Sequence, residues 1–479
     1  MDPEAVLQEP AAAETAAALA DVWIPNVQTV FYFLIGTGVL SALFLLAVFK
    51  LTAPAIYKPA KDASGDHVQV IVMGDIGRSP RMQYHAISFA KHGYNVDLIG
   101  YKETARHPDL VAKPNVHLFS LRRTPEWLSW QTGLLVLPIR VLYGSFALYN
   151  AMAYRTVAPK WIIIQNPPSI PTFHITLLVA WLRGSKVIID WHNYGHTIMA
   201  LNRSKNNPGV IFYRHYETIL GRLTGSLNLT VTHAMARQLT APPYSISSPV
   251  LTLHDRPAAS FKPIESLSQR QQFLSVIPTT KPYASSIVAG TTKLVVSSTS
   301  WTPDEDFGML LEALVAFAAA QPLTELLVIV TGKGLQKAEF ERLISNLSAA
   351  GHLGKVTIMT AWLSIEDYAH LLSCADLGIC LHMSSSGVDL PMKVVDMFGA
   401  GIPVAAYSAY ESFSELVKEG RNGCGFTTST ELADILMRLM GPSGTGELAK
   451  LKSGAVEDGS LGWDEQWDNV LGRALGIVT

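Results

Sequence analysis

Past residue 66 the chain is a succession of short β-branched runs separated by helical stretches, and this alternation restricts the fold more than any other feature. The runs Val68–Met73, Val96–Gly100, Val116–Leu121, Trp161–Gln165, Lys186–Asp190 and Leu227–Thr232 form a first series. Lys293–Ser297, Leu326–Thr331, Val356–Thr360, Leu377–Leu381 and Pro403–Ala406 form a second. Near-continuous apolar runs alternating with helices belong to parallel sheets covered on both faces. The expected fold is α/β: two Rossmann-like, doubly wound halves facing a cleft, over residues 66–255 and 292–479. Residues 256–291 are rich in Pro, Ser and Thr and are expected to be a linker. Open sheets of this kind bind ligands beyond the carboxyl ends of their strands.

Charge and cysteine content narrow the partners. Lys and Arg number 37 against 39 Asp and Glu, a net charge of -2, and only 16% of residues are charged. A polyanion binder or a disordered hub needs charge in excess, so nucleic acid is not an expected partner. Cys374, Cys380 and Cys424 lack the number for a disulfide framework and the spacing of a zinc site. They read as buried fillers in a reducing compartment.

Ahead of the first half, Val22 to Phe49 carries no charged side chain. Its core, Val27–Phe49, would span about 34 Å as a helix at 1.5 Å per residue, enough for a hydrocarbon layer of about 30 Å. A cleaved signal peptide wants a basic start and a shorter apolar stretch, whereas Asp2, Glu4, Glu9, Glu14 and Asp21 come first here. Residues 22–49 are therefore expected to be a single retained anchor. Lys50, Lys58 and Lys61 follow it, which places the large body in the cytosol and residues 1–21 across the membrane. The apolar, aromatic stretch 127–154 is interrupted by Pro138 and Arg140. Its alternatives are a buried core helix and a helix lying in the membrane interface, with a second span disfavoured by the arginine.

Three blocks carry candidate chemistry. Gly74-Asp75-Ile76-Gly77-Arg78-Ser79-Pro80-Arg81 leaves the first strand and enters a helix. Gly74 and Gly77 allow backbone close to a ligand, while the helix start and Arg78 and Arg81 offer donors to phosphate. The plainer alternative is a strand-to-helix turn with solvated arginines. The spacing is not the G-x-G-x-x-G fingerprint of dinucleotide enzymes. The second block, Asp190-Trp191-His192-Asn193-Tyr194-Gly195-His196, gathers polar groups at a strand end, where Asp190 and His192 can share proton work or merely cap and fill. The third runs from Ser384 through Ser385, Ser386 and Gly387 to a helix bearing Lys393 and Asp396 on one face. Small residues at a helix start suit a diphosphate and a carboxylate one turn on suits a ribose; a surface ion pair is the plainer reading. Lys333, in Thr331-Gly332-Lys333-Gly334 after a strand, is a further phosphate candidate. No cluster of metal-ligand residues stands out, so no metal and no tightly bound cofactor are expected, with a Mg²⁺ requirement left open.

The blocks GDIGRSPRMQYHA, QNPPSIP, DWHNYGH, VTHAMARQL, SSTSWTPDEDF and SSSGVDLPMKVVDMFGAGIPV resemble, in order over about residues 67–430, the eukaryotic chitobiosyldiphosphodolichol β-mannosyltransferase family. The resemblance implies a GT-B fold on the cytosolic face of the endoplasmic reticulum membrane. It also implies inverting transfer of the first mannose from GDP-mannose to dolichyl-diphosphate-linked chitobiose in a β-1,4 linkage, without nucleic acid and with other transferases of the pathway as open partners. Carried over by residue, Gly74, Gly77, Arg78 and Arg81 fall where the lipid diphosphate would sit. Lys333, Ser385, Ser386, Gly387, Lys393 and Asp396 fall in the donor half. Retaining relatives carry a Glu eight positions before the site of Asp396; here that position is Val388, with Asp389 adjacent. The expected base is Asp75, with Asp190 or His192 as fallback. An α-mannosyltransferase of the same fold and an inactive scaffold are the competing readings, the latter disfavoured because both diphosphate blocks are complete.

Overall fold

The computed structural model describes residues 52–126, 136–302 and 304–479, with 32, 35–41 and 43 from the N-terminal stretch. The chain divides into two compact units, Met1–Ala55 and Ile56–Thr479. In the first, the described residues 32, 35–41 and 43 are helical. Among the described residues no helix is long and apolar enough to cross a membrane; most of the expected anchor, 22–49, lies outside them.

Two parallel sheets build the second unit. In chain order the first holds β1 (His67–Asp75), β2 (Asn95–Tyr101), β3 (Val116–Ser120), β4 (Trp161–Asn166), β5 (Lys186–Trp191), β6 (Leu227–Thr230) and β7 (Val250–Thr252). The second holds β8 (Thr292–Ser298), β9 (Glu325–Thr331), β10 (Val356–Ala361), β11 (Leu377–Cys380), β12 (Val404–Tyr407) and β13 (Gly423–Phe426). The strand orders are β3-β2-β1-β4-β5-β6-β7 and β10-β9-β8-β11-β12-β13. All strands run parallel, and the order in which they are added reverses once in each sheet, between β1 and β4 and between β8 and β11. Val68, Val70 and Ile71 on β1 and Leu294, Val295 and Val296 on β8 are fully buried, as strands covered by helices on both faces require.

Two expected boundaries shift. Residues 256–291 are not a free linker: Leu267–Val276 and Ala284–Val288 are helices. They place Leu274, Ile277, Ala284 and Ile287 in the core of the second half. Composition misleads because Ser266 spends its hydroxyl as the helix cap, accepting from Gln269 N, while sparse apolar residues face the sheet. The C-terminal end is also not confined to the second half. Trp467 and Leu471 join the core of the first sheet, with the Trp467 ring edge-on to Phe89 at 5.1 Å and stacked on His92 at 5.4 Å. Of the stretch 127–154, the helix Val136–Asn150 is described and buries only Ser145 and Leu148, so it is not a core helix.

Candidate active site

The strand order reverses between β1 and β4 and between β8 and β11, and open sheets bind ligands beyond such points; the cavity there is lined from the loops after β1, β5, β7 and β11. The loop after β1 is held by Asp75, whose Oδ1 accepts from Gly77 N (3.4 Å), Glu103 N (3.0 Å) and Thr104 N (3.2 Å) and whose Oδ2 accepts from Thr104 Oγ1 (2.5 Å). Burial works against ionisation, but these donors hold its pKa below the usual carboxylate value. Gly77 is required by contact, since a Cβ there would sit 2.3 Å from Thr104 Oγ1 and 2.4 Å from Ala105 O. Gly74 has room for a Cβ. Asp75 thus ties the loops after β1 and β2 together, an arrangement that makes it a poor proton acceptor. Arg78 is 78% exposed and ion-paired with Asp75 at 3.8 Å, a solvent-facing contact weak enough to give way to another anion.

Arg81 differs. Its side chain is 3% exposed, its Nε and Nη2 donate to Asp190 at 2.8 and 3.0 Å, and its Nη1 donates to Asp255 at 2.9 Å. The guanidinium is engaged by two carboxylates while still lining the crevice, so Arg81 is not the unpaired diphosphate donor that the sequence suggested. Asp190, fully buried at the end of β5, also accepts from His85 Nε2 (3.2 Å) and lies 2.9 Å from His192 Nε2. Trp467 Nε1 donates to His85 Nδ1 at 3.0 Å, which puts the His85 proton on Nε2. Burial lowers the His85 pKa, keeping it neutral. Burial also opposes ionisation of Asp190, yet Arg81 and His192 hold its carboxyl well below the carboxylate range. With Nε2–H directed at Asp190, His192 presents Nδ1 as its acceptor.

His192 is 25% exposed and lines a cavity of about 180 Å³ with Arg78, Ser79, Arg81 and Asp255 from the first half and Leu390 and Met392 from the second. This is smaller than the about 300–1,000 Å³ of a typical ligand pocket, and a second cavity of about 190 Å³ adjoins it at Asp255 and Leu390. Polar contacts hold the walls together: Asn193 Nδ2 donates to Ser385 Oγ (3.1 Å) and Asp389 Oδ2 (3.0 Å), and Thr232 Oγ1 donates to Val388 O (2.7 Å).

On the second wall Asp389 is the hub of the serine loop. It accepts from Ser384, from Ser386 (3.2 Å) and pairs with His382 Nε2 (3.1 Å). Burial opposes ionisation, but His382 and Ser384 keep its pKa low. Gly387 turns the loop at φ +78°, the left-handed region. The Ser385 and Ser386 hydroxyls are therefore engaged here, Ser385 across the crevice. Lys393 is paired with the buried Glu305, which also accepts from Thr299 Oγ1 and Ser300 N, both at 2.6 Å. Lys393 thus braces the loop after β8 instead of standing free for a diphosphate. Lys333 is exposed, its Nζ 4.2 Å above the Trp362 ring, a contact worth about 0.5–1 kcal/mol and easily exchanged for phosphate. Gly332 lets this loop lie against the loop after β8, where a Cβ would fall 1.8 Å from Thr299 O. Asp396 has its pKa pushed up to about 8 by burial and then by Asp255, and it in turn raises that of Tyr84 on the opposite wall, where burial acts first. Among the described residues no cation is paired with its carboxyl group.

Asp255, His85, Trp467 and Glu305 were not singled out from sequence, and Asn193 stood only as a member of its block. His85 carried a signal, lying four residues after Arg81 on the same helix face; Trp467 carried none. Among the described residues, His233, His254 and Glu415 bring three ligand atoms within 4.8 Å of one another. Both Glu415 oxygens already accept backbone N–H groups, from His233 (2.6 Å) and Ala234 (2.7 Å), so the group reads as a helix cap joining the halves.

Comparison with solved structures matches this architecture. The Anabaena protein HepE, solved in complex with UDP and glucose, superposes with a TM-score of 0.59 at 14% identity, covering 86% of this chain and 99% of that one. WaaG, a glycosyltransferase involved in lipopolysaccharide biosynthesis, gives 0.59 at 13% identity over 86% and 99%. These likenesses show the GT-B fold alone. No family model matches the chain. Curated relatives are closer in sequence. The chitobiosyldiphosphodolichol beta-mannosyltransferase of Arthroderma benhamiae is 43% identical, covering 79% of this chain and 86% of the relative. That of Mus musculus is 37% identical over 85% and 88%. The UDP-glycosyltransferase TURAN of Arabidopsis thaliana is 38% identical over 84% and 95%. At this identity and coverage the chain belongs to the chitobiosyldiphosphodolichol beta-mannosyltransferase family.

Proposed function

We propose that the protein transfers the first mannose from GDP-mannose to dolichyl-diphosphate-linked chitobiose, with inversion to a β-1,4 linkage. In this reading it works on the cytosolic face of the endoplasmic reticulum membrane, anchored through residues 22–49. The observation that carries the chemistry is the pairing of His192 with Asp190 on the crevice wall, beside the exposed Arg78. As the acceptor 4-hydroxyl oxygen bonds to mannose C1, His192 Nδ1 takes its proton and the bond from C1 to the GDP oxygen breaks. Asp190 stabilises the imidazolium through Nε2–H, and Arg81, Asp255 and His85 fix Asp190 in place. The base role thus falls to His192, and Asp75 is left with loop structure. Arg78 meets the acceptor diphosphate. Lys333 and the backbone of the 385–387 loop meet the donor diphosphate, and Asp396 accepts from the donor ribose.

Purified protein supplied with GDP-mannose and a short-chain chitobiosyl diphosphate lipid should yield a β-linked mannoside by NMR. An α-anomer would remove inversion. Because one relative is named a UDP-glycosyltransferase, UDP-sugars serve as the competing donors; preferential turnover of one would move the family chemistry to another nucleotide.

A further inference from the structure

The helices Val136–Asn150, Thr172–Arg183 and Pro208–Thr224 pack side by side on the first half, the middle one touching both others. A polar rung locks them: Ser145 Oγ lies 3.2 Å from His174 Nε2, and His174 Nδ1 lies 2.5 Å from Tyr216 OH. Beside the rung all three helices expose large apolar side chains, with Arg214, His215 and Arg222 also exposed on the third. Leu137, Leu142 and Phe146 are 63%, 69% and 67% exposed, Trp181 on the middle helix 74%, and Phe212 and Leu223 on the third 64% and 62%. Contiguous apolar surface of this kind on a rigid support marks an interaction site.

At one edge of this face is a cavity of about 180 Å³ lined by Arg122, Tyr143, Phe146, Ala147, Asn150 and Arg155. Phe146 belongs to both features. Among the described residues the cavity has two arginines and no acidic lining residue. Arg155 is steadied by donation from Nη1 to Ser120 O at 2.9 Å, which leaves its remaining N–H groups to an anion. Hydrocarbon-facing side chains immediately beside a two-arginine pocket match the layout of a phospholipid, acyl chains below and phosphate above.

We infer that this three-helix face docks on a bilayer, with Leu142, Phe146 and Trp181 at acyl depth and Arg122 and Arg155 receiving the phosphate of an anionic phospholipid. The inference rests on the reading of the acceptor as a membrane-borne lipid, because docking here would hold the crevice at the surface where that lipid resides. An anchor alone would tether the body without fixing which face meets the bilayer; this second contact would set that orientation.

The test uses the full chain reconstituted in vesicles, with bimane on Leu142→Cys, Phe146→Cys or, as control, Leu335→Cys, which is 98% exposed on the second half. The native Cys374, Cys380 and Cys424 are buried, and burial raises their thiol pKa values, so labelling is selective. Phosphatidylcholine with brominated acyl chains should quench positions 142 and 146 several-fold more than 335; equal quenching at all three overturns the docking face. Adding phosphatidylserine should raise quenching at 142, and the paired Arg122→Gln, Arg155→Gln variant should lose that rise; indifference to phosphatidylserine overturns the headgroup pocket. A dimer by light scattering that shields 142 without lipid would assign the face to a second copy and overturn the proposal. These signals need no sugar donor, so their failure leaves the transfer reaction standing, and loss of transfer leaves them readable.

Discussion

The two walls of the crevice handle buried charge in opposite ways. On the first, Asp190 is surrounded by Arg81, His85 and His192 and its carboxyl is held well below the normal range. On the second, Asp396 has burial and a like charge for company and is pushed up to about 8. A buried carboxylate with cations and donors on every side is built to stay charged and to orient its neighbours. One without a cation is held ready for a partner that brings hydroxyl donors. The contrast separates a pre-assembled proton-handling wall from a wall that a ligand completes.

The largest expected effect breaks the first wall. His192→Gln should lower kcat by about 10²–10⁴, the range for loss of a positioned general base, with the nucleotide affinity measured by calorimetry unchanged. A variant turning over near the wild-type rate would return the base role to another group. Removing Asp190 is a less clean probe, since Arg81 would be left buried beside an incomplete set of acceptors at a cost of about 3–5 kcal/mol.

Asp396→Asn sharpens the contrast from the other side. Loss of the ribose contact should raise KM for the donor about tenfold or more, equivalent to about 1.4 kcal/mol. Stability should move the other way. A carboxyl raised to about 8 in the folded chain against about 4 unfolded leaves its proton bound only in the folded state between those values, so the wild type loses stability as pH rises through that window. The amide has no such penalty. Thermal denaturation should therefore show the variant gaining on the wild type from pH 5 to pH 8, and a constant gap would mean that Asp396 is already ionised.

What sequence conveyed follows the same division. Strands were legible wherever β-branched residues cluster. β7 (Val250–Thr252) escaped because it is three residues at a sheet edge, and β13 (Gly423–Phe426) because Gly-Cys-Gly-Phe has no β-branched residue. Asp190 and His192 were visible as candidates because they share one strand end. Their supporting partners were not: Asp255 lies 174 positions from Arg81, and Trp467 lies 382 from His85. Arg81 and Lys393 were assigned to diphosphates because a cation in a loop motif looks available; only coordinates reveal a carboxylate already attached. Asp75 is the expected base on sequence because its loop leaves the first strand for the cleft; its four donors, split between its own turn and the loop after β2, are not visible there.

Asp75→Asn tests that last reassignment. The amide keeps one acceptor oxygen and loses part of the set from Gly77, Glu103 and Thr104, which should cost about 1–3 kcal/mol of stability while kcat falls by less than about tenfold (about 1.4 kcal/mol). A collapse of kcat in a variant with normal melting would restore Asp75 as base. The sign with pH is also set: a carboxyl lowered by folding contributes stability above its unfolded value near about 3.9 and loses it on further acidification. The wild-type advantage over the variant should therefore shrink below about pH 4.

The smallest effect comes from the C-terminal turn that reaches back to the first wall. Trp467→Phe keeps the ring contact with Phe89 but removes the N–H that His85 Nδ1 accepts, at a cost of about 1 kcal/mol. Burial keeps His85 neutral in the folded chain, so protonation is resisted there and stability is lost as pH falls through the unfolded imidazole value near about 6.5. Without the indole donor the neutral form loses a partner and His85 protonates more readily. The variant should then lose less stability on acidification, yet place a cation against Asp190, which weakens the hold of Asp190 on the imidazolium of His192 and should move the acid limb of kcat/KM. A merely packing role for Trp467 would move the melting temperature and leave that limb where it is.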